Sequence, residues 1–571
     1  MPDTDASTRH PALARWLPGV AQLLDYPRGA LRGDVVSGIS VCVIMIPSVL
    51  AYAELAGVRP QSGLYAALGA MVLYALFTST RRIIVGPDTT IALLVGSVVI
   101  PLAADDPARA ADLAALLALM TGVLLILAGR VGFGNVADLL STPVLIGYAA
   151  GAALLLVGTQ LPVLLGVVVK SDAFFLRVAE VALASPGANL ATMSLGIGLI
   201  ALLLLFNRFA PRAPAALVAC IVAMVVSRAL DLPARGVVHL SPMSSTLPMP
   251  GLPAITLRDV QALAPGALAL ALLVFAEGIL MARTLAEKRR ETVDADRELV
   301  ALGAANVSAG LVSGFTVGAS TSRSLTADAT GAQTQLAQWI AAMVLVLFVL
   351  FLAPAVALLP RVALSAILIA AGLRLIDIDE WRKLLRLDRR AFGLALGVAL
   401  AVLVLGVLPG VLIGVALSLA RILLEVARPR DAVLRRLATD RRFHDLADDE
   451  GGTLTPAVIV YRLYSPILFA NARYVGDRLR GLVAAAKPPA RCIVLDMQAV
   501  SHIDVTAVSV LRDLHAELES KGIDVRFARA NRPLREQILR WIGHEELGKE
   551  QFFPSASAAV DDFLASHPTR R

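Results

Sequence analysis

Residues 315–332, FTVGASTSRSLTADATGA, put four hydroxyl side chains, Ser320, Thr321, Ser322 and Ser324, around Arg323 in a chain otherwise apolar enough for a bilayer. An unpaired charge in hydrocarbon costs several kcal/mol, so Arg323 is expected to face protein or a water-filled cavity, where a planar guanidinium meets an anion. The competing reading is an arginine at a helix end that snorkels to water.

Composition fixes the setting of that stretch. Hydrophobic residues make up 57% of the 571 and charged residues 17%, with a mean hydropathy of +0.72. Apolar runs of roughly 17 to 25 residues recur along the chain, which implies a polytopic α-helical membrane protein. The net charge of +7 and pI near 9.5 would suggest nucleic acid in a soluble protein, but here the arginines punctuate loops between apolar runs. No nucleic-acid partner is expected. Cys42, Cys220 and Cys492 lie far apart without metal-ligand spacing, so neither a disulfide framework, a metal nor a cofactor is indicated. The seven histidines fall mostly in tails or beyond residue 430, which leaves no nucleophile and base to pair and argues against an enzyme.

Residues 1–33 are polar and lack the order of a cleaved signal peptide; they read as a cytoplasmic N-terminal segment. Fourteen membrane segments are expected in residues 34–428, near 35–56, 62–78, 87–101, 108–130, 138–168, 191–208 and 213–230, then 262–285, 297–313, 319–330, 333–353, 360–376, 389–406 and 408–427. An even number puts both termini on one side. That side carries about 20 Lys and Arg against about eight on the other, which predicts cytoplasmic termini and residence in the inner (plasma) membrane.

Two segments, near 87–101 and 319–330, are too short or too polar at their starts for ordinary spans and read as half-helices. Pro87 is expected in the first turn of one, with Asp88, Thr89 or Thr90 serving its bare N–H groups; Val317-Gly318-Ala319-Ser320 announces the other. Asp34 to Pro87 is 53 residues, as is Pro265 to Gly318. That match predicts two inverted repeats of seven, about 34–230 and 262–428, whose broken helices meet near the membrane middle. Helix N-termini carry roughly half a positive charge and free N–H donors, so a facing pair makes an anion site to which Arg323 adds.

Glu277, in VFAEGIL, is the clearest carboxylate in the middle of an apolar span. Desolvation favours its protonated form and would let it couple anion movement to a proton. Sodium would need several oxygen ligands, yet Leu273 and Met281, one turn away, offer none. A static pair with Arg323 is the structural alternative.

Several stretches together resemble the SulP-type anion transporters of the solute carrier 26 family. These are Ile46–Gly57 (IPSVLAYAELAG), Gly63-Leu64-Tyr65, Val85-Gly86-Pro87, Glu298–Asn306, Ser322-Arg323-Ser324 and Gly331–Leu336. The resemblance implies a UraA-like fold of fourteen segments in two inverted repeats, divided into core and gate domains, usually as a homodimer. It also implies an anion pocket at Ser320, Ser322 and Arg323, at Asp88, Thr89 and Thr90, and at Pro47, Ser48 and Tyr52, with Thr321 beside them. Ser48 stands where the family usually has glutamine. Asp88 either caps its half-helix or takes part in proton movement.

Beyond a charged linker, 429–452, the composition becomes that of a soluble α/β domain, 453–571. Strand, helix, strand, helix and strand are expected at 457–462, 471–486, 491–496, 505–521 and 524–528. The order resembles the sulfate transporter and anti-sigma-factor antagonist (STAS) domain, which places Thr506 where the stand-alone antagonists are phosphorylated; a helix cap is the competing role. Together these readings predict secondary active transport of a small anion (sulfate, bicarbonate, chloride or a dicarboxylate), proton-coupled, by an elevator-like movement of core against gate. An uncoupled channel, an exchanger and an anion sensor signalling through the STAS domain are the alternatives.

Overall fold

The computed structural model describes residues 17–104, 106–134, 141–171, 173–210, 213–289, 291–437, 442–445, 452–542 and 549–567. The first 16 residues of the expected N-terminal segment, and 438–441 and 446–451 of the expected linker, lie outside them. Two compact units are formed, Met1–Ser418 and Leu419–Arg571.

A helix occupies each expected membrane segment. In the first repeat these are α1 (Leu31–Leu55), α2 (Pro60–Phe77), α3 (Thr89–Ala103), α4 (Pro107–Val131), α5 (Thr142–Leu165), then an extra short helix α6 (Phe174–Ala184), α7 (Leu190–Phe209) and α8 (Ala215–Ala229). The second repeat has α9 (Leu257–Arg289), α10 (Ala295–Leu311), α11 (Thr321–Ala329), α12 (Leu336–Phe351), α13 (Arg361–Leu375), the extra α14 (Ile378–Leu387), α15 (Arg389–Leu405) and α16 (Val407–Ala427). Among the described residues, seven helices are long and apolar enough to cross a membrane unaided.

The extra helices occupy the same place in both repeats, after the fifth segment. With 11 and 10 residues they are too short to span. In α14, IDEWRKLLRL, Asp377 caps the first turn and Arg382 and Lys383 pair with Asp379 and Glu380 one turn back, while Ile378, Leu385 and Leu387 stay exposed. Such a two-faced helix suits the bilayer boundary.

Packing repeats with the same symmetry. The first helix of each repeat lies on the fourth of the other, α1 on α12 and α9 on α4, and α10 wedges between α2 and α4. These form the core. The gate packs α5 against α13 and α15, with α7 on α13. At the α4–α10 crossing a Cβ on Gly122 would lie 2.7 Å from the Gly303 carbonyl oxygen, and one on Gly303 equally close to that of Gly122. Only glycine allows this backbone contact, and dispersion across it replaces the hydrophobic drive that lipid removes.

The two half-helices are joined by a minimal sheet. β1 (Val85–Gly86) runs antiparallel to β2 (Gly318–Ala319), with Val85 opposite Ala319 and Gly86 opposite Gly318. Pro87 therefore precedes α3 rather than sitting in its first turn. Pro265 also lies inside α9 rather than opening it, so the equal spacing of 53 residues does not mark two helix starts. Side chains hold the sheet at both edges. Asn306 accepts from the Val317 N–H at 2.9 Å and donates to the Val317 and Leu302 carbonyls, while Gln338 accepts from the Val85 N–H at 3.1 Å and donates to Met71. Buried Asp34, at the start of α1, ties down the far end of α11 by accepting from the Gln333 and Thr334 N–H groups and the Thr334 hydroxyl.

In the second unit β3 (Asp431–Val433) is followed by a small sheet of β4 (Arg435–Leu437), β5 (Phe443–His444) and β6 (Gly452–Thr453). Then come β7 (Val458–Leu463), α17 (Ala472–Ala485), β8 (Cys492–Asp496), α18 (Val505–Ser520), β9 (Asp524–Ala528), α19 (Arg532–Ile542), β10 (Phe552–Phe553) and α20 (Ala556–Ser566). The main sheet runs β10-β9-β8-β7-β3, parallel except for β3. The expected linker is thus a correction: Asp431–Val433 pairs with Leu463–Tyr461 and belongs to the domain. Its charge masks it, because an edge strand is only half-covered and tolerates Arg and Asp.

Asn306 satisfies three backbone groups in a dry interior, so Asn306→Ala is expected to cost about 2–4 kcal/mol. A thermal unfolding scan of the detergent-solubilised protein checks this; an unchanged midpoint would show that the sheet does not depend on it.

Candidate functional site

A cavity of about 730 Å³ lies between core and gate. The half-helices α3 and α11 point their N-termini into it from the core side, and α7, α8 and α13 form the opposite wall. Asp88 and Ser320 occupy the two N-cap positions, but neither side chain accepts a hydrogen bond from its own helix. The capping role considered for Asp88 is therefore corrected: its backbone is extended and its carboxylate lines the cavity. Both first turns keep donors available, the arrangement that favours a negative ligand.

Arg323 is 4% exposed and is held by one bond, Nη2 donating to the Pro87 carbonyl at 2.7 Å. Its Nε has no hydrogen-bond partner although buried. The guanidinium thus reaches from one half-helix to the lead-in of the other and keeps unused donors at the cavity. It is no snorkelling end-group. Gly86 lies beside it: φ there is +156°, a backbone conformation that favours glycine, and a Cβ would touch Nη2 at 3.4 Å.

Glu277, on α9, also lines the cavity and accepts from the Thr90 hydroxyl at 3.1 and 3.3 Å. It makes no ion pair with Arg323, which removes the static-pair alternative. Tyr148 of the gate donates to the Thr90 carbonyl at 3.1 Å. Ser48, Tyr52, Thr89, Thr90, Thr321 and Ser322 line the same space. Pro47 does not: it is buried inside α1, one residue short of the lining face. Ser48 turns its hydroxyl back to the Ile44 carbonyl at 3.3 Å.

Sequence reasoning missed the wall opposite. Asn207, Thr284, Thr326 and Arg374 line the cavity too, near the ends of α7, α9, α11 and α13. Arg374 read as one of many arginines flanking spans, and only the face it shares with Ile367, Ala370 and Ala371 marks it as inward-facing. These helix ends lie where α1 begins, so the mouth opens on that side. The other end is shut. Glu54, ending α1, pairs with Arg361, opening α13, at 3.2 Å, and the segment 238–240 is bonded to 359–361 through two backbone hydrogen bonds.

Thr506 is the second residue of α18 and exposed. Its capping role is corrected: Asp504 caps the helix, accepting from the Ala507 N–H at 2.6 Å.

Residues 31–398 match the sulfate permease family and residues 453–559 the STAS domain. A probable sulfate transporter of Mycobacterium tuberculosis is 38% identical over 552 residues, covering 96% of this chain and 98% of that protein. The chain belongs to the sulfate permease family. Sulfate transporter 4.1, chloroplastic, of Arabidopsis thaliana is 29% identical over 550 residues, 92% of this chain and 79% of its own. In fold, the murine anion transporter SLC26A9 in its inward-facing state superposes with a TM-score of 0.90 at 20% identity, over 99% of this chain and 96% of that one. The transmembrane domain of the cyanobacterial bicarbonate transporter BicA gives 0.58 at 23% identity, over 68% and 97%. This sulfate permease family member is accordingly a multi-pass membrane anion transporter, with two inverted repeats and a STAS domain, and not an enzyme.

Gly86→Ala would strain a positive φ and place a methyl in contact with the Arg323 guanidinium. The expected result is a loss of about 1–2 kcal/mol of stability with a comparable, roughly tenfold, weakening of labelled-anion binding. Equilibrium binding and thermal unfolding on one preparation separate the two effects.

Proposed function

We propose that the chain is a secondary active transporter that takes up sulfate together with a proton across the inner membrane. Both termini lie in the cytoplasm, and the core moves against the gate in an elevator-like stroke. Sulfate is favoured because the relatives similar over nearly the whole chain are named sulfate transporters. Bicarbonate, chloride and dicarboxylates are the competing substrates.

The observation that carries the coupling is the Thr90–Glu277 hydrogen bond. It ties the proton-binding candidate to the half-helix whose N–H groups face the anion. Ionised, Glu277 would repel an anion across a shared low-dielectric space; protonated, it removes that repulsion. Anion and proton therefore favour each other's binding, which is the thermodynamic requirement for symport. Ser320, Thr321, Ser322, Arg323, Asp88, Thr89, Thr90, Ser48 and Tyr52 form the pocket in this reading. The closed Glu54–Arg361 end opposite an open mouth favours a carrier over an uncoupled channel. A homodimer is the assembly implied, and the exposed Thr506 is a position at which modification could regulate the domain.

Reconstituted into proteoliposomes, the protein should accumulate labelled sulfate under an inward proton gradient, with unlabelled bicarbonate, chloride and dicarboxylates tested as competitors. Arg323→Ala should reduce uptake at least a hundredfold. Glu277→Gln should abolish the response to the gradient while leaving sulfate binding in place; uptake by Glu277→Gln that still rises with the gradient would remove its role. Binding without uptake would instead favour a sensor.

A further inference from the structure

Four charged side chains line the cavity: Asp88, Glu277, Arg323 and Arg374. Arg323 and Asp88 belong to the two half-helices and Glu277 to α9, so three of the four ride on the core. Arg374 alone belongs to the gate. It stands in the last turn of α13, one helical face beyond Ile367, Ala370 and Ala371, and it is the sole polar residue of that face on the cavity. It makes no hydrogen bond or ion pair with any described residue. Arg361, at the other end of the same helix, is engaged with Glu54.

With both carboxylates ionised, the two arginines only balance them. When Glu277 holds a proton, the cavity carries one net positive charge, and Arg374 is what makes up the difference. Without it, Arg323 and Asp88 cancel, and only hydroxyls and helix N-termini would face an incoming dianion. We propose that Arg374 is a second anion-binding residue, located on the gate at the mouth, which makes the cavity favour a divalent oxyanion over a monovalent one. This rests on the reading of the cavity as the anion path. Because Arg374 does not travel with the core in an elevator stroke, it acts only while the pocket faces the mouth: it raises affinity on that side and has no contact with the anion on the other.

The charge is water-exposed, so its contribution is modest and screened by salt. Removing it should weaken binding of a dianion about tenfold and of a monovalent anion about threefold at low ionic strength. The probes are labelled sulfate and labelled nitrate, bound to the full-length protein at low and high salt. Arg374→Gln should raise the Kd for sulfate about tenfold, lower its selectivity over nitrate and flatten the salt dependence, while Arg374→Lys should retain most of the affinity. A chemical rescue isolates charge from packing. Cys42, Cys220 and Cys492 are buried, so in Arg374→Cys a cationic methanethiosulfonate reagent should restore sulfate binding and an anionic one should depress it further. Equal effects of the two reagents, or an unchanged sulfate-to-nitrate ratio in Arg374→Gln, would overturn the proposal. Arg323→Ala run in parallel keeps the outcomes apart. If it still binds sulfate, the cavity reading itself fails; if it does not, and Arg374→Gln behaves like the parent, only the role of Arg374 falls.

Discussion

Val85, Gly86, Gly318 and Ala319 form a sheet of two residues per strand, and the head-to-head placement of the half-helices rests on it. Two helix N-termini, each equivalent to roughly half a positive charge, repel when they face each other in a medium of low dielectric. Something must hold them together before any anion arrives. The strand pairing does so with backbone bonds, and Asn306 and Gln338 complete it by occupying the edge donors and acceptors that two-residue strands leave open. The Arg323 bond to the Pro87 carbonyl adds a cross-tie at the same junction. Even that cation is attached through a carbonyl rather than a carboxylate, so its charge is left uncancelled by its own support.

This junction also explains how polar chemistry is divided between the domains. Most side chains that brace the half-helices come from the core, Asn306 from α10, Gln338 from α12, Asp34 from α1 and Glu277 from α9, and Tyr148 of α5 adds one bond from the gate. The gate presents to the cavity mainly small and apolar residues, Leu203, Ala216, Ile367 and Ala370 among them. In the proposed stroke a core so interlocked would exchange few polar contacts with the gate, the Tyr148–Thr90 bond and the Glu54–Arg361 pair among them. That is the energetic condition under which an elevator-like movement has a low barrier, because buried hydrogen bonds broken midway would each cost about 1–3 kcal/mol.

Much of this was legible in the sequence, for identifiable reasons. Apolar runs, Gly-Pro and Gly-Ala-Ser breaks and arginine placement are local signals, and they located the membrane helices and both half-helices. The short helices α6 and α14 escaped because a ten-residue two-faced segment has neither the length of a span nor the composition of a loop. Strand β3 escaped because its charges suit a half-covered edge and equally a linker. At the site, Arg323, Glu277 and the hydroxyls stood out as polar residues in apolar surroundings. Arg374 did not, since an arginine at the end of a span is the ordinary topological signal, and only the facing of α13 turns it toward the cavity. Pro87 falls outside α3 for a physical reason: the strand pairing pulls Gly86 into the sheet, so the helix begins at Thr89, two residues later than expected.

Ser48 shows what the pocket relies on. A longer amide at that position could reach toward an anion, whereas the serine hydroxyl folds back onto the Ile44 carbonyl and contributes nothing directed to the cavity centre. In the proposed reading, recognition is left to backbone N–H groups, a few hydroxyls and arginine. Backbone donors fixed by the strand junction cost little reorganisation on binding, so they tolerate a shortened side chain that a pocket built from flexible amides would not. A site of the proposed kind would sort anions by charge and by how many oxygens they present to two converging helix ends. A tetrahedral oxyanion can accept from both half-helices at once, with oxygens to spare for Arg323, whereas a spherical halide must divide a single charge among them.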